Sequence, residues 1–174
     1  MGRFLYGFEP CSYSRLFGKL GGNKHLEAMV ILEIIIKPWK EAEIEAFLVR
    51  EEVFVREQKV PAELELDEFD PSAAHALAYL EACCIGTGRL VDLGGGISQI
   101  GRMAILAQFR NQGIGLQILE KLTDLAKSQG AKSIVLHSQV VAIPFYEKLG
   151  FKPEGPIYDE AGMPHRNMIL ILPN

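Results

Sequence analysis

The residues Arg110 to Gly115 read R-N-Q-G-I-G and stand between a strongly β-forming run and a strongly amphipathic stretch. A helix starting there exposes unpaired backbone N–H groups and a partial positive charge. Glycine lets an anion approach that backbone closely, so the chemistry on offer is phosphate or pyrophosphate binding. Taken alone, Gly-x-Gly before a helix is equally served by a plain loop with a glycine cap. The segment lacks the Lys-Ser/Thr ending of a P-loop and the third glycine of a dinucleotide fingerprint. The strand before it follows a meander instead of opening a βαβ unit, which disfavours a nucleotide. Groups suited to proton transfer are Glu57, Glu81, His75, His137 and His165, and no spacing singles one out. The four histidines and three cysteines show no metal-ligand spacing, so no metal is expected. Cys83 and Cys84 read as small strand residues. The acidic run Glu63, Glu65, Asp67, Glu68 and Asp70 reads as a solvated loop that also draws cationic groups toward it.

The elements that must position these residues follow from periodicity. Residues 30–36, V-I-L-E-I-I-I, predict a strand that Pro38 stops. Ile44, Phe47 and Leu48, then Val53, Phe54 and Val55, predict one bent helix or two short ones over residues 40–58. Strands follow over 74–80, 85–91 and 97–105, with Gly94, Gly95 and Gly96 turning the last pair into a meander. Leu116, Leu119, Leu122, Leu125 and Ala126 recur at helical spacing and predict a helix over 115–128. Residues 133–137 predict a buried strand. A short helix over 142–149 follows, with Pro144 in its first turn and Gly150 ending it. Residues 166–172 predict the last strand, and a further short one is expected near Phe151. This order gives an α/β sandwich, not a doubly wound sheet.

The chain has 174 residues, 48% of them hydrophobic and 23% charged, which suits one well-buried domain. Its net charge of −4 excludes the basic footprint of non-specific nucleic-acid binding. The longest apolar run, residues 29–36, is broken by Glu33 and falls short of the ~20 residues a spanning helix needs. Residues 1–28 carry no secretory pattern, and Tyr6 breaks the myristoylation pattern. They read as an N-terminal extension of undefined role, with residues 29–174 as the single domain. A cytoplasmic location is the expectation, without nucleic-acid or membrane partners.

Three ordered segments together resemble a known superfamily. Arg110, Gly113 and Gly115 fit the Q/R-x-x-G-x-G/A loop of the GNAT acetyl-CoA-dependent N-acyltransferases. Gln139, Ala142, Phe145, Tyr146, Leu149, Gly150 and Phe151 fit the N-x-x-A-x-x-[LF]-Y-x-x-x-G-F segment of the same superfamily, with Gln139 in place of asparagine. V-F-V-R-E-Q-K-V-P (Val53 to Pro61), the acidic run ending at Asp70 and E-A-G-M-P-H (Glu160 to His165) are similar to the ElaA-like branch.

The resemblance implies a mixed, mostly antiparallel central sheet with helices on both faces. It also implies a fourth strand splayed from the fifth to admit acetyl-CoA as cosubstrate. Met103, Ala104 and Ile105 would pair with the pantetheine arm through their main chain. Arg110, Asn111, Gln112, Gly113, Ile114 and Gly115 would hold the pyrophosphate, with Gln139 and Tyr146 also at the cofactor. Tyr146 is the implied general acid in direct attack by an amine on the thioester. His165 and Glu57 rank first as base because both fall in the branch-specific segments. The acceptor would be a small-molecule or peptide amine. A homodimer is entertained, and a non-catalytic acyl-CoA-binding module on the same fold is the alternative.

Overall fold

The computed structural model describes residues 31–173. The expected extension and the start of the first predicted strand at Val30 lie outside the described residues. Leu32–Pro38 forms β1, and Trp39–Arg50 forms helix α1. Glu51–Glu57 continues α1 as a π-helical stretch, in which Gln58 N–H donates to Val53 O. The expected bend is therefore a widening of the helix without a break. Ala74–Leu80 (β2), Cys83–Gly94 (β3) and Ile97–Ile105 (β4) make the meander, and Gly94, Gly95 and Gly96 all have positive φ in its last turn. Ile114–Ser128 is helix α2, Ser133–Gln139 is β5 and Ile143–Glu147 is helix α3. Lys152–Glu160 (β6) and Met163–Ile171 (β7) close the chain. β6 is a full nine-residue strand where only a short one was expected.

The strands form one seven-stranded sheet in the order β1-β2-β3-β4-β5-β7-β6, in which only the β4–β5 pair is parallel. Side chains alternate across β2. Leu77 and Tyr79 therefore meet Ala42 and Ala46 of α1, while Ala76 and Ala78 join the larger core that holds Ile118, Leu122 and Ala126 of α2. The helices thus cover both faces, as expected. β3 is stripped of side chains where α2 presses on it. A Cβ built on Gly88 would lie 2.6 Å from Met103, 2.8 Å from Ile118 and 2.9 Å from Leu122.

Two features open the middle of the sheet. In β4 the register with β3 shifts, so that Thr87 faces Ala104 but Arg89 faces Gly101, and Arg102 takes φ 51°. The extra residue is a β-bulge, which bends the strand that carries it. β4 pairs with β5 only from Ile97 to Gln99, whereas β5 stays paired with β7 along its whole length. Beyond Gln99 the two strands part.

Candidate active site

The parting strands bound a cleft of about 1030 Å³, lined by residues from the end of α1's π-helical stretch, β4, the loop before α2, β5, α3 and the β6–β7 turn. No strand pairs with the β5-facing edge of β4 past Gln99 among the described residues, so Met103, Ala104 and Ile105 border an open slot. An amide-bearing chain can pair with such an edge.

At one end of the cleft lies the loop ahead of α2. Gly113 sits in the left-handed region at φ 79°, and a Cβ there would meet nothing within 4 Å. Asn111, at φ 62°, is left-handed too. The first bond inside α2 runs from Gln117 N–H to Gly113 O, which leaves the N–H groups of the first turn for an outside acceptor. Gly115 is tighter, since a Cβ there would touch the Phe145 ring at 3.4 Å. Ile114 is buried and seats the helix, while Asn111 and Gln112 are exposed.

Arg110 donates from Nε to Ile105 O at 2.8 Å and from Nη1 and Nη2 to both Glu57 oxygens at 2.6 Å. This bidentate pair ties the loop ahead of α2 to the end of the π-helical stretch. It holds the Glu57 carboxyl below its ordinary range, chiefly through the Arg110 hydrogen bonds. A carboxylate engaged at both oxygens and made less basic is poorly suited to remove a proton, so Glu57 serves better as the residue that positions Arg110. The neighbouring Gln58 accepts from Gln139 Nε2 at 3.0 Å, which joins the same stretch to the end of β5.

Tyr146 is buried in α3, with its ring 4.9 Å from Phe145 and 6.2 Å from Phe151. Its hydroxyl has no hydrogen-bond partner among the described residues, and the residue lines the cleft. Burial pushes the phenol up to about 12, above the value near 10 usual for tyrosine. It stays protonated throughout the neutral range and so has a proton to donate.

His165 also lines the cleft, 7% exposed. Its Nδ1 lies 2.9 Å from Met163 O, and because a carbonyl only accepts, that nitrogen carries the proton. In the neutral ring Nε2 then keeps its lone pair, and it has no partner among the described residues. His137 is exposed at the cleft, with Nδ1 3.3 Å from Glu160. The other groups suited to proton transfer lie elsewhere. His75 is fully buried against Trp39 and bonded to Asp70 O, and burial lowers its pKa. Glu81 occupies the β2–β3 turn. Burial raises the Cys84 thiol to about 12, which removes it as a nucleophile.

The acidic run is the largest departure from the sequence reading. Glu65 and Asp70 are buried, and together with Asp67 they bind three arginines from three elements. Arg50 of α1, wholly buried, bonds Glu65 and, at 2.8 Å, Asp70. Arg89 of β3 reaches Asp67 at 2.6 Å and Asp70 at 2.8 Å. Arg102 of the β4 bulge reaches Asp67 at 2.9 Å. Burial alone would raise the Asp70 carboxyl, but the Arg50 and Arg89 bonds outweigh it and hold the group far below its ordinary range. Only Glu63 and Glu68 are exposed as expected. A signal for this network was present: Arg102 interrupts the apolar strand I-S-Q-I-G-R-M-A-I, and Arg89 the run before it.

The chain belongs to the GNAT acetyltransferase family, since residues 37–172 match the acetyltransferase (GNAT) domain. Among its relatives is the uncharacterized N-acetyltransferase YjcF of Bacillus subtilis, 39% identical over 127 residues, which covers 72% of this chain and 89% of the relative. An acyl-CoA N-acyltransferase from Pseudomonas aeruginosa superposes with a TM-score of 0.73 at 27% identity, over 80% of this chain and 99% of that one. Escherichia coli ElaA shares the fold, with a TM-score of 0.72 at 23% identity over 80% of this chain and 99% of its own. No described helix is long and apolar enough to cross a membrane.

Proposed function

We propose that this protein transfers an acetyl group from acetyl-CoA to a primary amine by direct attack. The observation that carries this reading is the convergence, on one cleft, of the open β4 edge, the glycine loop at the head of α2 and the unpartnered Tyr146 hydroxyl. The cleft fits the cosubstrate: Gly113 leaves free approach to the first turn of α2 for a pyrophosphate, and the β4 edge offers main-chain partners to an amide-bearing arm.

Acetyl-CoA supplies the reactive thioester, and this chain's residues supply the rest. A free alkyl amine has a pKa near 10.4, so it must lose a proton before attack, and His165 Nε2 is the base. As the amine forms the new C–N bond and the C–S bond breaks, a main-chain N–H of the β4 edge polarises the carbonyl. His165 passes that first proton to solvent; as the C–S bond breaks, Tyr146 gives its phenolic proton to the thiolate sulfur and recovers one from the proton that the acylated nitrogen sheds, leaving the amide and the free CoA thiol. No covalent intermediate on Cys84 is involved.

Calorimetric titration with acetyl-CoA, CoA and ATP tests the reading, followed by thiol release in the presence of amines. Saturable binding of the CoA ligands alone, with amine-dependent release, is the expected result. Absence of CoA binding overturns it. CoA binding with no transfer to any amine leaves a binding module instead of an enzyme.

A further inference from the structure

Three of the five carboxylates expected to draw a cationic acceptor to the cleft, Glu65, Asp67 and Asp70, are already engaged, and this changes the chemistry that the acceptor meets. Two acidic side chains stand in the cleft wall. Glu65 is bonded to Arg50 through Oε1, and its unpartnered Oε2 is fully buried. Glu160 faces His137.

Of the cations in the wall, Arg110 is paired with Glu57 and Lys148 lies exposed just past α3, while Arg89 and Arg102 stand on the strands. Arg89 directs Nη1 and Nη2 to Asp67 and Asp70, and its Nε is buried. Arg102, raised on the β4 bulge, uses Nε for Glu65 O at 3.0 Å, and Nη2 for Leu64 O at 3.2 Å and Asp67 at 2.9 Å. Its Nη1, with two N–H donors, has no partner among the described residues. The side chain is 25% exposed and lines the cleft, held rigid by three bonds. A fixed guanidinium with spare donors in a partly desolvated wall recognises a planar anion. The loop ahead of α2 follows β4 at its far end, whereas Arg102 lies nearer the point where β4 leaves β5.

We propose that the acceptor is an amine that also carries a carboxylate, an amino-acid-like zwitterion, with its carboxylate on Arg102 Nη1 and its amine turned toward His165. The inference rests on the acetyltransferase reading above. It disfavours diamines and polyamines, whose second charge would meet Arg102.

The test compares matched pairs, amino acids with their own amides, and adds diamines, in thiol release at saturating acetyl-CoA with rates expressed per free base. The acid member is expected to show at least about a tenfold higher kcat/KM than its amide, the scale of one hydrogen bond to a charged group. Arg102→Met should raise KM for the acid member about tenfold and leave the amide's KM unchanged, while Arg102→Lys keeps part of the preference. A second readout is calorimetric titration of each pair into the wild-type protein saturated with CoA, where the acid member should bind at least about tenfold more tightly. Equal or better use of amides or diamines by the wild type overturns the inference while leaving acetyl transfer intact, as does failure of every carboxylate-bearing amine to bind. Equal damage to both members in Arg102→Met assigns Arg102 to structure and overturns its role. Failure to bind acetyl-CoA at all is the separate failure of the underlying reading.

Discussion

Replacing Tyr146 by phenylalanine removes one oxygen and leaves a ring of the same shape. The ring keeps its edge contacts with Phe145 and Phe151, and because the hydroxyl has no protein partner among the described residues, no donor or acceptor is orphaned. The fold should therefore be nearly indifferent, within about 0.5 kcal/mol in denaturant unfolding. Catalysis should not be. A hydrogen bond to a charged group is worth about 1.5–3 kcal/mol, or roughly 10- to 150-fold, and general acids contribute about 10²- to 10⁴-fold. We expect kcat to fall about 10²-fold, with acetyl-CoA affinity within about twofold of wild type, because the bond is made to the departing thiolate and not to the bound thioester. Steady-state thiol release gives kcat and calorimetry gives the affinity. A kcat within about threefold of wild type would refute the assignment. A parallel loss of affinity would show instead that the hydroxyl holds the ground state.

Gly113→Trp should weaken acetyl-CoA binding at least about tenfold in calorimetry, since the indole would occupy the open approach to the first turn of α2 at a left-handed position. Asp70→Asn leaves Arg50 with Glu65 alone and Arg89 with Asp67 alone, in a network one negative charge short, and should cost about 1–3 kcal/mol in chemical denaturation. Its pH signature follows from the direction of the shift. The folded-state pKa of Asp70 lies below its ordinary carboxyl value, so the wild type keeps this stabilisation above that ordinary value and loses it as pH falls toward the folded one. Melting temperature between about pH 5 and pH 2 should consequently fall more steeply in the wild type than in Asp70→Asn. Gly88→Ala drives a methyl into Met103, Ile118 and Leu122 and should destabilise by about 1–3 kcal/mol in urea unfolding.

The elements read well where one local period dominates. α2 begins one residue before the expected start because its leucines repeat over four turns, and β2 and β4 match their predicted bounds because strand and turn signals agree there. β6 was legible only as a fragment. K-P-E-G-P-I-Y-D-E has two prolines, a glycine and no alternation, which an edge strand tolerates because β7 alone needs its hydrogen bonds. The site was legible as loop and tyrosine, whose spacing is local. Its pairings were not, because they join residues far apart in the chain: Glu57 with Arg110, Gln58 with Gln139, and the acidic run with Arg50, Arg89 and Arg102. No periodicity encodes a contact across 53 or 81 positions.

The network of three arginines and three carboxylates also bears on how this sequence can drift. Each of the six groups is bonded to a partner from a different segment, in surroundings where a lone charge is costly. Losing one strands another, so a neutral route away from the arrangement passes through paired replacements, with an arginine and its carboxylate exchanged together for apolar residues of similar volume. Among descendants of this chain, these positions are therefore expected to change as a block or not at all, a pattern of covariation that would mark the loop beside the cleft as inherited in one piece with β3 and β4.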